Sequence, residues 1–175
     1  MTAAGNAYLS SNYSMSNKNE LVVKMALDSW NGLIGRTTKL IDDLSDETLA
    51  REIAPGKNTG IYVLGHIIAV DDAMLPLLAM GDKMFPELEE VFLKNPDKSG
   101  LAKPPVPQLR EQWTKVHNAL ATKFAALSFD QWMEKHTSVS DEAFVKEPHR
   151  NRMNILLSRT VHLSYHWGQL VFLQK

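Results

Sequence analysis

The stretch that decides the fold is the last apolar segment, Arg152 to Lys175, which contains the run Val161-His162-Leu163-Ser164-Tyr165-His166-Trp167-Gly168-Gln169. If this segment is an α-helix, His162 and His166 lie about 40° apart in projection and about one turn apart along the axis. Both imidazoles then lie on an otherwise apolar face that should point to the interior. An unpaired buried polar group costs about 1–3 kcal/mol, and a metal ion shared by the two rings would satisfy both.

The spacing His-x-x-x-His is weak evidence by itself, because most such pairs are hydrogen-bonded core or surface histidines. The candidate for a third ligand is His66, which shares an apolar helical face with Tyr62 and Val70. The alternative for His66 is a core histidine that donates to a backbone carbonyl. Asp71 and Asp72 lie about 140° and 240° further round the helix, too far to bind the same ion.

Apolar residues at three- and four-residue steps predict four long amphipathic helices. They run from Glu20 to Leu44, from Thr59 to Met80, from Pro107 to Leu127, and from a cap at Asn151 to Lys175, whose charge suits the negative end of the helix dipole. In the first helix Leu21 and Met25 belong to the predicted inner stripe, and in the second Pro76 predicts a kink. An antiparallel arrangement buries four such stripes with least strain, so the predicted class is all-α, a four-helix bundle.

Long connectors are predicted between helices 2 and 3 and between helices 3 and 4. The first, Asp82 to Gln108, is rich in proline and has room for one short helix at Phe85 to Leu93. The second, Ser128 to Asn151, opens with a capped turn at Ser128. Of the remaining histidines, we expect His117 at the edge of the third helix's inner stripe. We expect His136 and His149, both in the second connector, to face solvent.

Composition narrows the class of protein. The 175 residues suit one domain over residues 20–175, preceded by a polar leader at residues 1–19. Nineteen Lys and Arg against 20 Asp and Glu give no basic patch of the kind that nucleic acid requires. With no cysteine, the chain has neither a disulfide nor a thiolate zinc site. No signal-peptide pattern and no run of 18 apolar residues is seen, which predicts a cytoplasmic protein without a membrane span.

The order of these motifs resembles the DinB/YfiT-like superfamily of metal-dependent four-helix-bundle proteins. The likeness rests on Leu64-Gly65-His66-Ile67 in the second helix and on the His-x-x-x-His-x-Gly-Gln run His162 to Gln169 in the fourth. The stretch Leu44-Ser45-Asp46-Glu47 that leads through Pro55-Gly56 to the second helix is similar as well. The likeness covers about Leu21 to Lys175.

This resemblance implies that His66, His162 and His166 form a three-nitrogen site for a divalent metal ion, usually zinc or nickel. It also implies a homodimer and a small-molecule substrate, with a low-molecular-weight thiol as cosubstrate in some relatives. One departure is Trp167, where many relatives carry arginine. A role of that arginine in holding an anionic substrate does not carry over to this chain.

Three imidazoles leave an open coordination position, as in catalytic zinc sites. Because the chain has no cysteine, a thiolate nucleophile would come from a cosubstrate. Gln169, one turn beyond His166, is a candidate hydrogen-bond partner of a ligand or substrate, or alternatively a capping or interhelical amide. Tyr62, one turn before His66, is a candidate proton donor.

The predicted function is therefore a divalent-metal-dependent enzyme, either a transferase that uses a low-molecular-weight thiol or a hydrolase that acts on a small electrophile. The alternative is a non-catalytic, dimeric, stress-related bundle that binds a metal or another ligand. A third interpretation is a metal-free helical protein whose histidines bond to one another.

Overall fold

The computed structural model describes the backbone of residues 3–174 and the side chains of residues 18–174. Over this part of the chain the structure is helical, and the only β features are two isolated bridges. The helices are α1 (Ala3–Asp43), α2 (Asp46–Leu49), α3 (Gly60–Asp72), α4 (Met74–Leu77), α5 (Leu88–Phe92), α6 (Val106–Ala125), α7 (Phe129–Met133), α8 (Asp141–Lys146) and α9 (Arg152–Val171), followed by a 3₁₀ turn, Phe172–Gln174. The all-α class is confirmed. Four long helices are present, but short ones accompany them, so a plain count of four does not describe the fold.

One hydrophobic core holds the long helices together. Helix α1 packs against α9, and α3 packs against both α6 and α9. The largest fully buried side chains come from long and short helices alike: Trp30 of α1, Phe92 of α5, Phe124 of α6 and Trp132 of α7. The short helices α5 and α7 therefore belong to the core, where α5 packs against α3, and α7 packs against α1 and α9.

Helix α1 is longer than predicted, since it begins at Ala3 and the predicted start was Glu20. The side chains of residues 1–17 lie outside the described residues, and the division into leader and domain stays a prediction. Leu21 and Met25 were predicted to face inward but are 52% and 60% exposed, and the buried positions start at Ala26. One reason is length: the 41 residues of α1 span about 60 Å, twice the length of α6 or α9, so neither of these helices can lie along the whole of α1.

The second predicted helix is broken, not kinked. Helix α3 ends at Asp72, and Pro76 lies in the separate short helix α4. Proline lacks an N–H, and its ring clashes with the carbonyl four residues earlier, here that of Asp72. The Asp72 carboxylate accepts hydrogen bonds from the backbone N–H groups of Met84 and Phe85 at 2.8 and 2.9 Å, so it fixes the start of the first connector.

The connectors contain more helix than predicted. The short helix in the first connector is confirmed as α5, and Ser128 caps α7 with a full capping box. Helix α8 was missed, although Ser140 followed by two acidic residues is the usual signal for a helix start.

The last helix is capped as predicted, because the Asn151 side chain accepts from the backbone N–H of Asn154 at 2.9 Å. It ends at Val171, earlier than predicted, and continues as a 3₁₀ turn. The predicted interaction of Lys175 with the helix dipole lies outside the described residues.

Among the described residues, Gly60–Leu77 is the one segment long and apolar enough to cross a membrane, with a mean hydropathy of 1.4. It comprises α3 and α4, and 61% of it is buried inside the bundle. Its apolar composition is what a central core helix requires.

Candidate metal centre

The structure brings the three predicted ligands together. His66 comes from α3, and His162 and His166 come from successive turns of α9, which packs against α3. Nε2 of His162 lies 3.2 Å from Nε2 of His66 and 3.1 Å from Nε2 of His166. Donor atoms of all three rings lie within 4.8 Å of one another. That they bind a metal stays a prediction.

The hydrogen bonds of two rings fix which nitrogen carries the proton. Nδ1 of His66 lies 3.0 Å from the backbone carbonyl of Phe92, and Nδ1 of His166 lies 2.7 Å from Oε1 of Gln169. Carbonyl oxygens only accept, so both rings donate through Nδ1 and keep a lone pair on Nε2. Each ring thus turns its metal-binding nitrogen toward the third histidine.

At the third ring the three Nε2 atoms meet in a conflict of lone pairs that a cation would remove, and Nδ1 lies on the other side of the ring. Nδ1 of His162 is buried without a hydrogen-bond partner among the described residues. Its Nε2 faces two lone pairs, and a single N–H can point at only one of them. Nitrogens that share a tetrahedral zinc ion at about 2.0–2.1 Å lie about 3.3 Å apart, close to the observed separations. The donor set therefore fits a divalent ion of the kind that imidazole favours, such as zinc or nickel.

Burial keeps the rings of His162 and His166 neutral. It lowers the pKa of His162 to about 4, and the neighbouring His166, His66 and Arg159 act in the same direction. Burial also lowers the pKa of His166, although the hydrogen bond to Gln169 opposes that shift. A metal competes with protons for the imidazole lone pair, so their low pKa values leave His162 and His166 ready to bind a metal near neutral pH.

The pH dependence of stability follows from these shifts. The pKa of His162 falls from its ordinary 6.5 to about 4 on folding. Between these pH values His162 is therefore protonated in the unfolded chain and neutral in the folded protein. The metal-free protein should have its full stability above about pH 6.5 and lose part of it progressively down to about pH 4. Thermal unfolding of wild type and His162→Gln across this range checks this, and the variant should show the shallower slope. Equal slopes would contradict it.

A glycine beside His66 explains how the Phe92 carbonyl reaches that ring. The Phe92 side chain lies over Gly65, and a Cβ atom at Gly65 would overlap the aromatic ring. Only glycine lets α5 approach α3 this closely, and the approach puts the Phe92 carbonyl at Nδ1 of His66. The sequence contained the signal, a glycine inside an apolar helix next to a candidate ligand, but nothing in it named the partner.

We expect Gly65→Ala to destabilise the protein by about 1–3 kcal/mol, the usual effect of overpacking a core. It should also weaken metal binding, because displacing Phe92 removes the acceptor that orients His66. Gly35→Ala is the matched control, since its Cβ would meet nothing within 4 Å and alanine favours a helix interior. Melting temperatures and zinc titrations of both variants measure the two effects. A Gly65→Ala protein with wild-type stability would refute the packing argument.

The two candidate catalytic residues have different surroundings. Gln169 contacts a predicted ligand directly, as described above. The Tyr62 hydroxyl donates to the backbone carbonyl of Asn95 at 2.8 Å, and burial, with a contribution from Asp97, raises the pKa of Tyr62. Its hydroxyl thus ties the first connector to α3, while its role as a proton donor stays a prediction.

A second buried pair, not anticipated from the sequence, lies between α3 and α6. His117 is buried, with Nε2 3.0 Å from Oδ2 of Asp71 and Nδ1 2.8 Å from the carbonyl of Trp113. The expected edge position of His117 is therefore wrong. Asp71 pairs with this histidine and Asp72 with backbone N–H groups, so neither carboxylate belongs to the group formed by the three histidines.

The histidines of the second connector divide between buried and exposed. His149 is exposed, as predicted, but the prediction for His136 is wrong, because this residue is buried and burial lowers its pKa. The connector lies against the bundle here, since the backbone N–H of Thr137 donates to the carbonyl of Leu77 at 3.0 Å. A polar local sequence did not reveal this tertiary contact.

Comparison with known families gives one result. A family model described as DinB superfamily matches residues 31–170, well over half of the chain. The match runs from α1 to the last turn of α9 and includes all three converging histidines. No curated protein matches the chain.

Proposed function

Because the chain belongs to the DinB superfamily and gathers three imidazoles at one point, we propose that it is a metal-dependent enzyme whose His66, His162 and His166 hold a divalent ion. The observation that carries this proposal is that the Nε2 atoms of His66 and His166 both lie against Nε2 of His162, and no placement of protons satisfies all three nitrogens. A structural histidine cluster would be expected to satisfy its own hydrogen bonds.

The residues of the site have separate tasks in this proposal. The three imidazoles hold the ion, the Phe92 carbonyl orients His66, and Gln169 orients His166. When bound, a zinc or nickel ion supplies a Lewis acid that lowers the pKa of a water or thiol. Because the chain has no cysteine, the sulfur nucleophile of a transferase would be a low-molecular-weight thiol. We therefore place transfer of such a thiol to a small electrophile first, and hydrolysis of a small electrophile second.

The first experiment measures metal content and then turnover. Protein equilibrated with zinc or nickel and freed of excess by gel filtration should retain about one ion per chain in elemental analysis. Loaded and chelator-treated protein are then compared for consumption of a small electrophile with and without thiols. A protein that retains no metal would overturn the proposal. Retained metal without turnover would leave the non-catalytic metal-binding bundle.

The proposal includes a homodimer, which exposed apolar side chains support. Leu157, Val161 and Tyr165 follow one another at four-residue steps on α9 and are 47%, 71% and 63% exposed. Exposed apolar stripes of this kind are typical of helix–helix interfaces. A second copy of the chain is the partner that the family membership suggests.

Sedimentation equilibrium checks the dimer. Val161→Glu places a charge in the middle of this stripe and should yield monomers where the wild type is dimeric, because burying an unpaired charge is costly. Val145→Glu is the control, since Val145 is 82% exposed on α8, away from the stripe. A monomeric wild-type protein would refute the dimer and leave the metal proposal untouched.

A further inference from the structure

A cavity of about 350 Å³ lies beside the histidine cluster, between the end of α9 and the loop that precedes α3. Tyr165 and Gln169 form its wall on the side of α9. The same two residues contact His166. The centroid of the Tyr165 ring lies 5.0 Å from that of the imidazole, and Oε1 of Gln169 accepts a hydrogen bond from Nδ1–H. A molecule in this cavity would therefore lie next to the proposed metal site. None of the three histidines lines this cavity itself, and its link to them is through Tyr165 and Gln169. A larger cavity, about 760 Å³, lies between α1 and the end of α6 and is lined neither by the three histidines nor by these two residues.

A rigid turn forms the opposite wall. Ala54-Pro55-Gly56-Lys57 closes with a hydrogen bond from the Lys57 N–H to the Ala54 carbonyl at 2.9 Å, and Gly56 has a φ of 75°. Proline at the second position and a left-handed glycine at the third define a type II turn. The N–H of Gly56 also donates to the Glu52 carboxylate at 2.7 Å. Lys57 is thus presented at the end of a loop whose backbone is held in place.

The positive charge of Lys57 on this wall is not paired with an acidic side chain among the described residues. Lys57 is the one ionisable cation among the lining residues, and none of them is acidic. The nearby Glu52 is occupied, with one oxygen paired to Lys98 at 2.6 Å and the other accepting from Gly56. Lys57 itself has no ion-pair partner among the described side chains. A free ammonium group at a concave surface favours an anion as its partner.

Two amides and three apolar side chains complete the chemistry of the cavity. Because His166 takes the carbonyl oxygen of Gln169, the amide nitrogen of Gln169 remains available as a donor, and Asn58 offers a second amide nearby. Ile53, Tyr165 and Phe172 supply apolar surface to the same cavity. Donors grouped beside an apolar wall are typical of sites that orient a ligand by one polar group and bury the rest of it.

We propose that this cavity binds a small carboxylate with an apolar or aromatic body, and that Lys57 holds the carboxylate while Tyr165 and Phe172 contact the body. This rests on the proposed function and deepens it, because it assigns the substrate class of the same site: an electrophile that carries a carboxylate. The apolar wall favours this electrophile over a polar thiol as the source of the carboxylate. Lys57 is a binding residue here and takes no part in bond making.

The test is a calorimetric titration with 3-phenylpropanoate and its uncharged analogue 3-phenylpropanamide, on metal-free and on zinc-loaded protein. The acid should bind about tenfold more tightly than the amide, the usual gain from a charge-assisted contact. Lys57→Met should remove that difference, and Lys57→Arg should keep it. Lys146→Met is the matched control, because Lys146 is an exposed lysine on α8 that does not line the cavity.

The outcomes separate this inference from the proposed function. Equal binding of acid and amide, or a Lys57→Met protein that still prefers the acid, would overturn the inference, even if the protein retains zinc. Preference for the acid through Lys57 in a protein that retains no metal would support the cavity and overturn the metal proposal. Reduced glutathione is the remaining probe. If it binds through Lys57 and 3-phenylpropanoate does not, the carboxylate belongs to the thiol and the assigned substrate class is wrong.

Discussion

Replacing His66, His162 and His166 together by alanine is expected to abolish retention of zinc or nickel, while the protein still folds. The three rings are the only side chains that the described residues bring together with metal-ligand geometry. The substitution loses the packing of three half-buried rings, but it also removes ring nitrogens that do not satisfy one another, so the metal-free variant should be less stable than wild type and still fold. Elemental analysis after gel filtration gives the stoichiometry, and far-UV circular dichroism verifies the fold.

Single alanine variants of His66, His162 and His166 test each proposed ligand separately. Loss of a group that merely orients a ligand costs about 10- to 100-fold in metal affinity, so loss of a ligand itself should cost at least about 100-fold. Wild type at a metal concentration of 100 times the dissociation constant should gain about 2.7 kcal/mol in stability, and each single variant should gain far less. His149→Ala is the control, because His149 is exposed and outside the cluster. Unchanged metal-induced stabilisation in the triple variant would eliminate the proposed site.

The helical faces on which the three histidines lie could be predicted from the sequence, because the periodicity of a helix does not depend on how that helix packs. His166 follows His162 by four positions, which places them on one face of α9 wherever that helix packs. His66 lies on the apolar face of a helix that must enter the core. That these faces belong to neighbouring helices followed from the likeness to a known family, since periodicity alone does not choose partners.

The contacts that orient these rings were beyond the sequence, because they join residues far apart in the chain. Phe92 accepts from His66 across 26 positions, and this requires a connector helix to lie on a glycine of α3. The burial of His136 likewise depends on a connector that folds back onto the bundle. The early start of α1 has another cause. At about 60 Å, α1 is twice as long as α9, which therefore cannot cover all of it, and the apolar pattern around Leu21 and Met25 predicted neither the buried face nor the start of the helix.

Asp71→Ala is expected to lower the stability of the protein by about 1–3 kcal/mol, the usual result of leaving a buried polar group without its hydrogen-bond partner. Both ring nitrogens of His117 face oxygens, the Trp113 carbonyl at Nδ1 and the Asp71 carboxylate at Nε2. A proton must therefore lie on Nδ1, and a second must lie between Nε2 and the carboxylate. Without Asp71 the buried Nε2 has no partner in a part of the core lined by Trp30 and Trp113.

Asp71→Asn tests whether Nε2 of His117 needs a carboxylate beside it or only some hydrogen-bond partner. An amide nitrogen donates to the Nε2 lone pair of neutral His117, so this variant keeps the hydrogen bond, and we expect a change below about 1.5 kcal/mol. Urea denaturation of Asp71→Ala, Asp71→Asn, His117→Ala and the double alanine variant gives the coupling energy. A double variant whose loss equals the sum of the single losses would show that the pair contributes nothing as a pair. A double variant that loses much less than that sum is the expected result, because each single change leaves a buried polar group behind and the double change leaves none.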